Sequence, residues 1–217
     1  MMQISRVVAA VLLTAALAGC GVIPSVPYQD PVGVEGTARI RVITNSSVFG
    51  DSMVGNCAPS TRHKIAEAGR FYDGLRLNQN YPQYPVNPAV IGMPKSYEPE
   101  MIQYIGAVRM AEGLYTKVVT EHRVRADVPF QLATSGAAMG SYGSTYSVCK
   151  GGAKVYTLEP GKDYQAIVGI GRIPNGADTE PLSCFFGLFE LLPVPNTDMA
   201  LPLPLSSTPA PEKLCDE

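Results

Sequence analysis

Thr145-Tyr-Ser-Val-Cys149, Ala153-Lys-Val-Tyr-Thr-Leu158, Asp163-Tyr-Gln-Ala-Ile-Val-Gly-Ile170 and Ser183-Cys-Phe-Phe-Gly-Leu-Phe-Glu-Leu-Leu192 decide the fold class. Each run is short, apolar and rich in β-branched or aromatic residues. Each is bounded by a turn signal: Lys150-Gly-Gly152, Pro160-Gly161, and a loop around Pro174-Asn175-Gly176. Four strands at this spacing predict a mainly β protein.

The same pattern extends upstream. In Gly36–Thr44, Ala38, Ile40 and Val42 alternate with Arg39 and Arg41, as in a half-buried strand. Val118, Thr120, His122 and Val124 alternate in the same way, and Phe130–Ala133 begins another strand after the turn Asp127-Val-Pro129. The expected fold is an antiparallel, immunoglobulin-like β-sandwich over residues 36–192. A long irregular, partly helical insertion interrupts it at about 56–113. Within the insertion, Ile65, Ala68, Tyr72 and Leu75 have helical spacing, but Gly69 and Gly74 oppose it, so helix and irregular chain both stand for 62–78. Residues 98–113 fit a helix by pattern. Asn78–Pro88 reads as a Tyr- and Pro-rich loop, and Ser135–Ser144, all small residues but Met139 and Tyr142, as a loop or bulged edge. Residues 193–217 hold six prolines and predict an extended, polyproline-like tail.

Composition narrows the function classes. The chain has 217 residues, a formal net charge of −2, 46% hydrophobic and 17% charged residues. It can bury a core, and its pI of about 5.7 gives no basic footprint for nucleic acid.

The N-terminus is an address. One Arg in Met1–Arg6, an apolar run of about a dozen residues and small residues before Cys20 have the layout of a secretory signal. The run is too short for a membrane-spanning helix, which needs about 20 residues. Leu17-Ala18-Gly19-Cys20 resembles the lipobox of bacterial lipoproteins. That resemblance implies cleavage of residues 1–19 and lipidation of Cys20 on its thiol and amine. Residues 20–35 then read as a tether with three prolines. Gly21 stands where an Asp would imply retention at the inner membrane, so the resemblance implies the outer membrane, facing the periplasm.

A second resemblance covers about half of the chain. The ARIRV strand (Ala38–Val42), IGMP (Ile91–Pro94), TEHRVRADVPFQL (Thr120–Leu132), and a Cys before the Glu159–Tyr164 turn with another in the last strand are similar to a loosely defined group of small envelope lipoproteins. The resemblance implies a β-sandwich in the envelope, in a group of mostly undefined activity, and the matching motifs carry no catalytic residues.

Without Cys20, four cysteines remain, an even number that suggests disulfides in an exported protein. Three connectivities are open. Cys149–Cys184 with Cys57–Cys215 is preferred, because the first joins two apolar runs and the second staples the tail. No CxxC or close Cys/His pair points to a metal, and no cofactor motif is present.

Val48-Phe-Gly-Asp-Ser-Met53 resembles the nucleophile block of GDSL-type hydrolases, with Ser52 as nucleophile. The base that a serine needs is missing from the family's D-x-x-H position near the C-terminus, so Gly50-Asp51-Ser52 is expected to be a turn and no residue is assigned as catalytic. His63, between Arg62 and Lys64, reads as a solvated surface residue, and His122 as a hydrogen-bonded strand residue. Tyr72, Tyr81, Tyr84 and Tyr97 cluster around the middle loop and could form a recognition surface for an envelope protein or glycan. The expected function is a non-catalytic binding or structural module, held to the membrane through its N-terminal lipid. The alternatives are an accessory subunit of an envelope or secretion complex, and a Ser52 hydrolase.

Overall fold

A computed structural model describes residues 23–71, 82–98, 114–139, 147–172 and 182–215. Among these, all regular structure is β. Thirteen strands run in the order β1 (Ser25–Pro27), β2 (Thr37–Thr44), β3 (Ser47–Ser52), β4 (Arg62–Glu67), β5 (Arg70–Phe71), β6 (Leu114–Tyr115), β7 (Val118–Arg125), β8 (Phe130–Met139), β9 (Ser147–Tyr156), β10 (Asp163–Arg172), β11 (Leu182–Pro193), β12 (Ala200–Pro204) and β13 (Thr208–Pro209). They form a six-stranded sheet, β1-β4-β3-β8-β9-β13, a five-stranded sheet, β12-β11-β10-β2-β7, and the small pair β5-β6.

The two large sheets share one core, in a sandwich-like arrangement. Ile40, Val42, Val124, Ala166, Val168 and Leu188 of the five-stranded sheet meet Val48, Ile65, Phe130, Leu132 and Tyr156 of the other. The alternation of β2 produces this directly, since Ala38, Ile40 and Val42 all point inward.

Three expectations are corrected. Neither sheet is purely antiparallel: β1 runs parallel to β4, and β10 parallel to β2. This strand order lends no support to the immunoglobulin-like part of the reading. Residues 62–67 form a strand, not a helix. Ile65, Ala66 and Ala68 are all buried because the pairing with β3 shifts register between Val48 and Phe49, and the bulge breaks the two-residue period. Residues 72–80 and 99–113, the remainder of the helical reading, lie outside the described residues. Finally, Lys150-Gly-Gly152 is no turn, and β9 passes straight through it. Gly151, and Gly136 opposite it on β8, serve close backbone approach. A Cβ on Gly136, at φ +90°, would lie 2.3 Å from the Cys149 carbonyl oxygen, and one on Gly151 would lie 2.9 Å from that of Thr134.

Both chain ends are built into the sheets. Residues 25–30, read from the sequence as tether, begin with β1 as an edge strand. Tyr28 and Asp30 then cross to the other sheet. Tyr28 donates its hydroxyl to the Arg123 carbonyl (3.0 Å), and Asp30 accepts from the Arg123 N–H (2.9 Å). Both outward-facing backbone groups of Arg123 on edge strand β7 are thereby satisfied. The tail adds β12 to β11 and then crosses to add β13 to β9. Cys149–Cys184 links β9 to β11 across the sandwich, and Cys57–Cys215 clips the tail to the β3–β4 connection. Beside that clip, the Ala58 N–H donates to Lys213 and the Cys215 N–H to Ala58.

Candidate functional site

The arginines of ARIRV do not face open water. Arg39 donates to the carbonyls of Ile91 and Gly92, and Arg41 to those of Met93 and Pro94. Each guanidinium is also held by a carboxylate, Arg39 by Asp163 (2.6 Å) and Arg41 by Glu121 (2.6 Å). Glu121 accepts in turn from the Ile91 N–H, and Gln165 donates to the Tyr97 carbonyl. ARIRV, IGMP and the Glu of TEHRV are thus one clamp, which straps residues 91–97 across the five-stranded sheet. Nearly all its polar groups are spent on each other, so the clamp holds structure.

A different place retains unspent chemistry. A cleft of about 510 Å³ opens where the N-terminal segment passes β3, β4 and β7. Val26, Pro27 and Tyr28 form one wall, and Asp51, Ser52 and His63 another, with Pro59 and Arg125 also lining it. Gly50 faces the core from β3. A Cβ on Gly50 would meet the Phe130 ring at 2.6 Å, so only glycine fits there. Gly50-Asp51-Ser52, expected as a turn, is strand.

Asp51 and His63 form the centre of the cleft. The Asp51 side chain is 2% exposed and the His63 side chain 45%. Asp51 Oδ1 accepts from the His63 backbone N–H (3.0 Å) and lies 2.7 Å from His63 Nδ1. Burial pushes the Asp51 carboxyl up from its ordinary value, against the hydrogen bonds from His63 that pull it down. Its Oδ2 is buried without a hydrogen-bond partner among the described residues. The Tyr28 phenol is also pushed up, by burial first and then by Asp30 and Asp51.

The sequence-predicted residues are scattered. Ser52 lines the cleft beside the Asp51–His63 pair, but no hydrogen bond joins it to His63. His63, read as a solvated residue, is anchored to a buried carboxylate. His122 is hydrogen-bonded, with Nδ1 3.0 Å from Asp30 and Nε2 3.1 Å from the Ile65 carbonyl. Of the four tyrosines, Tyr84 pairs by its backbone with Glu67, and Tyr97 is 62% exposed. Tyr72, Tyr81 and Cys20 lie outside the described residues. Sequence reasoning missed Asp51 as an acid for His63 because the pair forms across a bulged hairpin, a spacing no linear motif encodes. Among the described residues, no group of three or more His, Cys, Asp and Glu side chains is placed to hold a metal ion.

The chain was compared with protein-family profiles, curated proteins and solved structures, and none matches.

Proposed function

We propose that the chain is a lipid-anchored protein of the outer membrane whose sandwich acts as a non-catalytic binding module on the periplasmic side. The observation that carries this reading is the docked N-terminal segment. Strand β1 begins only five residues after Cys20, and Val26, Pro27 and Tyr28 wall the cleft. Five extended residues reach at most about 18 Å. A lipid on Cys20 would therefore hold the cleft close above the bilayer. Two disulfides suit an exported protein, where such bonds persist. The hydrolase reading is not taken up, because the Ser52 hydroxyl makes no hydrogen bond to the imidazole beside it, and a serine nucleophile needs that base.

Cross-linking in intact cells, with Cys20→Ser as control, tests the reading. The native chain is expected to carry an acylated N-terminus, to sediment with membranes and to yield a discrete cross-linked envelope component. Cys20→Ser is expected to lose all three. Membrane retention and an acylated mass that survive Cys20→Ser would refute the anchor, and the absence of any cross-linked component would refute a protein partner and leave a small ligand, a glycan or the Ser52 hydrolase.

A further inference from the structure

We propose that the cleft binds a neutral, polyhydroxylated ligand, the chemistry of an envelope glycan, through Nε2 of His63. The inference rests on the binding-module reading above and specifies the ligand class.

The argument begins with the imidazole. Asp51 Oδ1 holds both the backbone N–H and the ring Nδ1 of the same residue. This chelation fixes the ring's direction. In the neutral ring it places the proton on Nδ1 and leaves Nε2 as a lone-pair acceptor. Nε2 has no partner among the described residues, and the ring is half exposed on the cleft wall. Such an atom, open to solvent, accepts from a donor when the ring is neutral and donates to an acceptor when it is protonated. A hydroxyl supplies both.

Charge then selects among ligands. The buried Asp51 carboxylate sits directly behind the ring, so an anion placed on Nε2 meets a negative charge in a poorly solvated place. A cation has no access to Asp51 Oδ2, which is sealed from solvent, and the Arg125 guanidinium at the cleft selects neither sign of charge, because Asp127 already pairs with it (2.5 Å). Neutral ligands remain. A peptide strand is disfavoured, because the wall it would have to extend is β1, where Pro27 has no N–H to offer. Val26, Pro27, Pro59 and the Tyr28 ring suit the apolar C–H faces of a sugar ring, and Gln29 and Ser52 add neutral polar groups to the lining. The Tyr28 hydroxyl is already committed to Arg123. The volume, about 510 Å³, falls within the range of small-molecule sites.

The test is a titration of the full chain, purified with its disulfides intact and followed by imidazole and amide NMR shifts. The probes are neutral tetrasaccharides of N-acetylglucosamine, glucose and galactose, a cationic glucosamine tetramer, an anionic galacturonate tetramer and tetra-alanine. At least one neutral saccharide is expected to shift His63 and Ser52 saturably, and the charged and peptide probes to bind at least tenfold more weakly. His63→Ala is expected to weaken binding tenfold or more. His63→Gln, whose amide also offers both a donor and an acceptor, should restore part of it. An unchanged melting temperature in both variants excludes loss of the fold as the cause. Absence of saturable shifts with all neutral saccharides, tighter binding of a charged or peptide probe, or full binding by His63→Ala would each overturn the proposal. A cross-linked protein partner in cells alongside failed saccharide titrations would retain the binding module and discard this ligand class.

Discussion

Removing the bridge between Cys57 and Cys215 is the perturbation with the largest effect that can be worked from this structure. The bond closes a loop of 158 residues, and its Cα atoms lie 5.0 Å apart, an ordinary disulfide separation. Loop-closure entropy for that length is about 5 kcal/mol at 25 °C. The second bridge lies inside the loop and short-circuits 35 residues of it. Because the dependence on length is logarithmic, this changes the figure by only a few tenths of a kcal/mol. Native-state losses are small, since neither cysteine lies in the apolar core. The double variant Cys57→Ala/Cys215→Ala should therefore lose most of 5 kcal/mol in a urea titration. With a slope of roughly 2 kcal/mol per M, the midpoint falls by about 2 M. The slope itself should rise, because the unbridged denatured chain exposes more surface. Hydrogen exchange offers an independent readout: the amides of Ala58 and Cys215, which bond across the clip, should lose protection. A loss below about 1 kcal/mol with an unchanged slope would refute the loop-closure reasoning.

Two further outcomes follow from local geometry. Gly136→Ala should cost at least about 2 kcal/mol, because its positive φ and the Cys149 carbonyl leave no room for a Cβ; a change under about 0.5 kcal/mol by chemical denaturation would contradict this. Burial alone would raise the Asp30 carboxyl, but the hydrogen bonds from the His122 ring and the Arg123 N–H outweigh it and hold the group below its ordinary value. Its contribution is therefore complete above the unfolded-state carboxylate value and is lost as pH falls through the lower folded value. The stability gap between the native chain and Asp30→Asn should close on acidification below about pH 4, and a gap that widens there would reverse the sign of the argument.

The strands that could be read from the sequence are those whose faces differ. β2 and β7 each bury one face in the core, so their inward residues recur at a period of two. The long apolar runs of β10 and β11 could be read from their turns. β3 was hidden for the opposite reason: Val48, Phe49, Gly50 and Asp51 are all buried, and a glycine forced by the Phe130 ring imitates a turn. β4 imitates a helix because a bulge puts neighbours on the same side. The candidate site was still less legible. In sequence Tyr28 reads as tether, Asp51 as turn and His63 as surface, and only the fold brings the three to one cleft. ARIRV and IGMP read as separate motifs in the sequence. Their relation, arginine side chains on backbone carbonyls about fifty residues away, depends on tertiary placement and leaves no trace in spacing.

The edges of the two sheets bear on how many copies of this protein can share a surface. An open edge strand is a template for the next molecule. Here β1 ends in Pro27, β13 ends in Pro209, β12 carries Pro202 and Pro204, and β7 is capped at Arg123 by Tyr28 and Asp30. Each terminus thus protects a border that would otherwise polymerise. Molecules confined to a plane meet far more often than molecules in solution, and edge-to-edge ribbons are the hazard of such crowding for a β protein. Were the chain held on a membrane as proposed, four blunted borders would disfavour edge-to-edge ribbons between its copies.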